Sequence, residues 1–382
     1  MNVGVIGVGR LGLAIALVFE KHGHSVAASS YKQEYVEALQ KRHIETTEPG
    51  VKEMLANSNI HFTTNNHEVI DHSDIIYLMV ATPSLPDGTY DMSAVWEVVK
   101  DIKTFSNDVS NKVFIIACTT NPEVSQAVAD DLKSTGIAVA YSPVLVAQGS
   151  IQRDFQNPDL VLLGVSDKRA ADQCVLFFRS VTVPGTLIHV LGLTTAEIVK
   201  MALNCWTTMK ISFANMIGQI MIHAGQGAEI KQALRAVGDS KRCGHAAMQF
   251  GFGYGGPCLP RDNRSLYNYA QEIGVDYELG NLVDQFNHNH AEFLATYFWD
   301  QNSQRLPFYF DHVSYKRGVT FTEESHQLKI CKNILKRGGQ VIIEPTEHLL
   351  EETRQELLKE FGTQVQFETL DSITCPVYKI NI

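Results

Sequence analysis

Val3-Gly4-Val5-Ile6-Gly7-Val8-Gly9-Arg10-Leu11-Gly12 stands near the start of the chain, and its reading decides the fold. Val3 to Ile6 is an apolar run of the length of a fully buried strand, and a helical apolar pattern follows from Leu13 to Lys21. The glycines between them match G-x-G-x-x-G in the strand–turn–helix setting that the motif requires. Gly7 suits the tight turn, Gly9 lets a pyrophosphate approach the backbone, and Gly12 lets the helix pack closely, with the helix N-terminus facing the phosphates. Ser25 to Ala28 reads as the second strand, so Gly7, Gly9, Arg10, Leu11 and Gly12 are expected to hold a dinucleotide.

The second strand does not end on the acidic residue that would bind the adenosine ribose hydroxyls; the chain reads Ser29-Ser30-Tyr31-Lys32. Ser30 with Lys32 would also suit a 2′-phosphate, so NAD and NADP both stay open. Strand-like runs recur at Asp74 to Met79 and Val113 to Ala117. Ligands of doubly wound sheets sit at the carboxyl ends of strands, which places Thr82, Pro83 and Thr120 at the cofactor cleft.

Over 382 residues, 45% of them hydrophobic and 19% charged, the chain reads as a folded protein of two or three domains. The formal charge of −10 argues against a general nucleic-acid binder, and no apolar run approaches membrane-spanning length. Seven scattered cysteines without a CxxC pair form neither a disulfide framework nor a zinc pattern. No metal is expected. The start runs directly into a strand without a signal-like segment, from which a cytoplasmic setting is expected.

Thr194-Thr195-Ala196-Glu197 has the form of a capping box, and a helical pattern runs from about Thr195 to His223. Lys200 and Asn204, four residues apart, share a face of that otherwise apolar helix. After helical sequence to about Asn302 comes a second βαβ pattern: Phe308 to Phe310, a helix over Thr322 to Arg337, and a strand from Gln340 to Ile343. Between these regions lies Gly251-Phe252-Gly253-Tyr254-Gly255-Gly256-Pro257-Cys258-Leu259-Pro260-Arg261-Asp262, a loop suited to presenting a thiol.

These residues together resemble the UDP-glucose/GDP-mannose dehydrogenase family over essentially the whole chain. Gly7 to Gly12 is similar to its cofactor turn, Glu48-Pro49-Gly50 to its EPG segment, and Thr82-Pro83 with Asp87-Gly88 and Asp91 to its TP loop. Thr120-Asn121-Pro122 resembles its T-V-P loop, Lys200 with Asn204 its KxxxN helix, and Arg242-Cys243-Gly244 its RIG motif. Gly253 to Asp262 is similar to its GFGGSCxPKD loop, and Tyr315-Lys316 to its third-domain substrate loop.

The resemblance implies an α/β fold with two Rossmann-like domains built on parallel sheets and joined by a long central helix and helical domain. The expected boundaries are 1–190 for the dinucleotide-binding domain, 191–304 for the central dimerisation domain and 305–382 for the nucleotide-sugar-binding domain. It further implies a homodimer through the central helix, a nucleotide sugar as substrate, and NAD(P)-dependent oxidation of its C6 alcohol to the uronic acid. Cys258 would form the thiohemiacetal and thioester, Lys200 and Asn204 would stabilise the oxyanion, and Asp262 with Thr120 would order the hydrolytic water. Arg261, in place of the family's lysine, would meet a cofactor phosphate. Leu145, Lys200, Asn204, Arg242, Gln249, Tyr254, Gly255, Tyr315 and Lys316 would contact the substrate.

Two departures accompany the matches. Where the family has NPEFLxEG, this chain has Ser142-Pro143-Val144-Leu145-Val146-Ala147-Gln148-Gly149, so Val144 and Gln148 replace both glutamates. Valine cannot move a proton, which makes a nucleotide-sugar-binding homologue with impaired or altered catalysis the alternative. Thr322-Glu323-Glu324-Ser325 stands where the family has TRES, and Glu323 replaces an arginine that clasps the cofactor pyrophosphate.

Overall fold

The computed structural model describes residues 1–346 and 349–380. The chain divides into two compact units, Met1–Lys200 and Met201–Ile382.

The first unit is built on one eight-stranded sheet: β1 (Asn2–Ile6), β2 (Ser25–Ser29), β3 (His61–Thr63), β4 (Ile75–Leu78), β5 (Val113–Ile116), β6 (Ala138–Tyr141), β7 (Val161–Val165) and β8 (Ile188–Gly192). The order is β3-β2-β1-β4-β5-β6-β7-β8. Its central strands are apolar runs buried on both faces, as a helix-covered parallel sheet requires. The sheet is parallel, as expected, but for one pairing: β7 runs antiparallel to β6. Only a loop and the short helix Ile151–Gln156 link them. Phe19, on the helix Arg10–Lys21, meets Tyr77, Phe155 and Phe177 edge-on at 5.2, 5.6 and 5.0 Å. Burying such a ring is worth about 1.5–3 kcal/mol, so this helix, and the glycine turn before it, is anchored to the sheet.

The helix Leu193–His223 starts directly after β8. Thr194 therefore lies inside its first turn, and the capping box does not form. Glu197 turns its carboxylate to the loop after β5 instead.

In the second unit the helices Ile230–Asp239, Leu259–Glu272 and Glu278–Gln301 precede a four-stranded parallel sheet. Its strands are β9 (Phe308–Phe310), β10 (Val341–Ile343), β11 (Val365–Phe367) and β12 (Tyr378–Lys379), in the order β11-β10-β9-β12. Leu294 and Phe298 of the 278–301 helix pack with Phe308, Phe310, Ile330, Ile334 and Ile343 into its core. The helix expected from Thr322 begins at His326, because the Ser325 side chain accepts a hydrogen bond from Leu328 N and caps it there.

The residues this shorter helix leaves out form a charged junction. Glu324, at φ 51°, receives Arg264 Nη1 at 2.8 Å and also Lys329, while Arg264 Nε donates to Asp284 at 2.9 Å. Burial by itself would raise the Glu324 pKa, but the hydrogen bonds and charges of Arg264 and Lys329 outweigh it and hold the group at about 2. A carboxylate depressed in the folded state gives stability that is full above its unfolded value and is lost as pH falls. Between roughly pH 4.5 and pH 2 the wild type should lose on the order of 2–3 kcal/mol from this group. Acid titration of Glu324→Gln is expected to lack that limb; an unchanged profile would show that the junction contributes nothing.

Candidate active site

In the first unit, the cofactor turn follows from the backbone demands of three glycines. Gly7 has φ 102°, and a Cβ there would come within 2.7 Å of the Met79 carbonyl. Gly7 N and Val8 N both donate to Ser29 O at 2.9 Å, which pins the turn to the end of β2. A Cβ at Gly12 would overlap the Gly7 carbonyl oxygen, whereas one at Gly9 would meet nothing within 4 Å. Gly9 caps the helix Arg10–Lys21 without any side-chain hydrogen bond. An open cradle above a helix start without a side-chain cap fits a pyrophosphate. Gly9→Ala should thus leave thermal stability unchanged while weakening NAD binding at least about tenfold by calorimetry. Gly12→Ala should itself cost about 1–3 kcal/mol of stability.

Around the turn, Leu11 packs against the core and the exposed Arg10 donates to Gln148 Oε1 at 3.4 Å. Ser30 is half-buried with its Oγ 3.5 Å from Lys32 N, and Thr82 is buried beside the exposed Pro83.

Two buried carboxylates organise the loops at the carboxyl ends of β5 and β6. Glu48 accepts from Gly149 N at 2.8 Å and Ile151 N at 2.7 Å, fixing the end of the 142–150 loop to the helix that follows. Glu197 accepts from Thr120 Oγ1 at 2.7 Å and from Glu123 N and Ser125 N at 2.8 Å. Thr120 and Glu197 are both fully buried, and burial raises the Glu197 pKa. Lys200, one turn beyond Glu197, is buried too. Within the 142–150 loop, Val144 is partly buried against the core. With Leu145 and Val146 it lines a cavity of about 30 Å³, room for about one water.

In the second unit, the loop before Cys258 is clamped by buried side chains. Asn287 makes a double bond set with the Tyr254 backbone, accepting from its N–H at 3.0 Å and donating to its carbonyl at 2.9 Å. Asn215 accepts from Gly251 N at 2.9 Å, and His290 donates from Nε2 to Gly251 O at 2.8 Å. That bond leaves His290 Nδ1 to accept from Gln219 at 2.7 Å, and burial lowers the His290 pKa to about 4, so the ring is neutral at pH 7. Gly253 is required by contact: a Cβ there would overlap Asn287 Oδ1 and the His326 ring. Gly256 N donates to Glu323 O at 3.0 Å, Gly255 lies against the Glu324 carbonyl, and the half-buried Tyr315 ring covers Gly256.

The clamped loop delivers an exposed Cys258 as the N-cap of the helix Leu259–Glu272. Negative charge developing at its sulfur meets the positive end of that helix. Asp262, one turn on and fully buried, donates its N–H to Cys258 O at 2.9 Å, and its carboxylate accepts from Asn204. Arg261 beside it is half-buried.

Of the expected substrate residues, Tyr254 is buried with its hydroxyl donating to Asp284 at 3.2 Å, and burial, followed by the Asp284 charge, raises its pKa. Arg242, Gln249 and Lys316 are exposed. The Arg242 segment is held by Lys210, whose ammonium donates to Cys243 O at 3.0 Å. Glu323 is exposed, and its backbone, not its charge, supports the cysteine loop. Sequence reasoning missed Glu197, Asn287, His290 and Arg264 as site-forming residues. For Glu197 a signal exists: an acid three residues before Lys200 on an apolar helix needs a partner.

Residues 1–182 match the NAD binding domain of the UDP-glucose/GDP-mannose dehydrogenase family, and residues 194–289 match its central domain. UDP-glucose 6-dehydrogenase YwqF of Bacillus subtilis is 28% identical over 305 residues, covering 77% of this chain and 68% of that protein. A UDP-glucose 6-dehydrogenase of Rickettsia bellii is 26% identical over 350 residues, 89% of this chain and 80% of the relative. A UDP-glucose dehydrogenase structure from Pyrobaculum islandicum shares the fold with a TM-score of 0.83 at 24% identity, over 97% of this chain and 88% of that one. The two family matches take in well over half of the chain, which belongs to the UDP-glucose/GDP-mannose dehydrogenase family and carries its NAD binding domain at residues 1–182.

Proposed function

We propose that the protein oxidises the C6 primary alcohol of a nucleotide sugar, UDP-glucose or a close relative, towards the uronic acid with Cys258 as covalent nucleophile. The observation that carries this reading is an exposed thiol at a helix N-terminus, on a loop clamped by buried side chains, with buried Asp262 one turn away. Bound NAD supplies the hydride acceptor for each oxidation. Lys200 and Asn204 stabilise the oxyanion on C6 as the alcohol, and later the thiohemiacetal, loses its proton. The Cys258 sulfur adds to the aldehyde carbon, and the second oxidation leaves a thioester. Asp262 and Thr120 order the water that releases it, returning the thiol and a carboxylate. Gly7 to Gly12 hold the cofactor pyrophosphate, with Ser30 and Lys32 at the adenosine ribose and Thr82, Pro83 and Arg261 along the cofactor. Leu145, Arg242, Gln249, Tyr254, Gly255, Tyr315 and Lys316 bind the nucleotide sugar.

The three-part division at 190 and 304 and a homodimer through the Leu193–His223 helix belong to the same reading. Exposed Trp206, Phe213, Met216 and Ile220 on that helix support an apolar interface. A cytoplasmic setting belongs to the same reading, and no described helix is long and apolar enough to cross a membrane.

A screen of UDP- and GDP-sugars with NAD and NADP, followed by mass spectrometry of the product, tests the reaction. Reduced cofactor together with an aldehyde or acid product is expected. Absence of reduction with every member would remove the proposal. Val144 favours a second reading, a nucleotide-sugar-binding homologue: its side chain rests on the apolar core and offers no proton acceptor. Binding of a UDP-sugar without cofactor reduction would support that reading.

A further inference from the structure

Glu197 makes the connection on which the loop after β5 depends. Its Oε1 accepts from the Thr120 hydroxyl at 2.7 Å and Ser125 N at 2.8 Å, and its Oε2 accepts from Glu123 N at 2.8 Å. The helix Val124–Leu132 has no side-chain cap of its own at Glu123, whose φ is 74°. A carboxylate from more than seventy residues away therefore does the work of an N-cap there, and it holds a non-glycine residue in left-handed backbone geometry. The Thr120 hydroxyl has one proton, and that proton points at Glu197. Towards a water, Thr120 Oγ1 is then an acceptor only. A water that donates to Thr120 has a lone pair turned away from it and available for attack.

We infer that Glu197 is a positioning residue: it fixes the Thr120 rotor so that this hydroxyl orients the hydrolytic water, and it joins the 120–125 segment to the helix turn bearing Lys200. The fixed rotor serves the hydrolytic step, so this part rests on the function proposed above; the join between segment and helix stands without it. Glu197→Gln is the informative variant. It keeps an oxygen for Thr120 but turns an NH₂ group towards the Glu123 N–H, which loses its acceptor, so the 120–125 segment loosens and carries Thr120 out of its fixed place.

The test is a double-mutant cycle of Glu197→Gln and Thr120→Ala, read by steady-state kinetics, together with hydrogen–deuterium exchange of both single variants. Glu197→Gln is expected to lower kcat about 10²-fold while KM for the sugar nucleotide changes less than about threefold. In the Thr120→Ala background the same change should cost less than about threefold, because the two residues act as one unit. Losses that multiply, or a Glu197→Gln enzyme with wild-type kcat, would overturn the inference. Exchange at the Glu123 and Ser125 amides should accelerate at least about tenfold in Glu197→Gln, with β1 and β4 still protected. Unchanged exchange there would overturn it as well. If no nucleotide sugar is turned over by the wild type, the functional reading fails, and the exchange result still decides whether Glu197 holds this segment.

Discussion

Cys258→Ala is expected to abolish acid formation, lowering kcat by on the order of 10⁴-fold or more while leaving the fold intact. The thiol is exposed, so its removal should change stability by less than about 0.5 kcal/mol. The fold does not depend on it because the loop is fixed by the hydrogen bonds of Asn215, Asn287 and His290 to its backbone. Without a sulfur to trap the aldehyde, oxidation stops after one reduced cofactor per sugar, and the aldehyde leaves as its hydrate. Counting reduced NAD against product separates the two outcomes. A variant that still delivers two equivalents and the acid would show that the nucleophile lies elsewhere.

Val144→Glu is expected to raise the steady-state rate by about 10²-fold, the usual worth of general acid/base help, if thioester release limits the wild type. The wild type should then show a burst of reduced NAD followed by slow turnover, and the variant should lose the burst. The gain has a structural cost. Val144 rests partly buried against the core, beside a cavity that holds about one water, so a carboxylate there should destabilise the unit by about 1–3 kcal/mol. Wild-type kinetics without a burst, or a variant without acceleration, would show that release does not wait on a base at this position.

The two effects define what this member of the family retains and what it lacks. Cys258, Lys200, Asn204 and the buried Asp262, to which the proposal gives the nucleophile, oxyanion and water-ordering roles, are all present in the sequence. The proton acceptors expected on the loop after β6 are replaced, by a valine packed on the core and by Gln148, which bonds to Arg10 beside the cofactor turn.

Local and periodic features were legible in the sequence. The first βαβ unit, the strand ends bearing Thr82 and Thr120, the long helix and the second βαβ unit all follow from apolar runs, glycine spacing and helical periodicity. Pairings made at long range were not. Glu48 meets Ile151 across 103 residues and Glu197 meets Thr120 across 77, and even where an acid on an apolar helix signals the need for a partner, nothing local says which. The capping-box reading of Thr194 to Glu197 failed for this reason: the local pattern was right, and a tertiary partner for the carboxylate won. Similarly, Ser325 rather than Thr322 starts its helix because Glu324 is drawn into the ion pairs with Arg264 and Lys329. The antiparallel β7 has no signal in an apolar run, since burial on both faces suits either direction.

Covalent capture at Cys258 is the central claim, and intact-protein mass spectrometry of the enzyme mixed with NAD and its sugar nucleotide tests it most directly. The expected result is an added mass equal to the sugar nucleotide less four hydrogens, that of the thioester, mapped by peptide analysis to Cys258 and absent in Cys258→Ala. Steady formation of acid with an unmodified Cys258, or an adduct mapped to another residue, would contradict it.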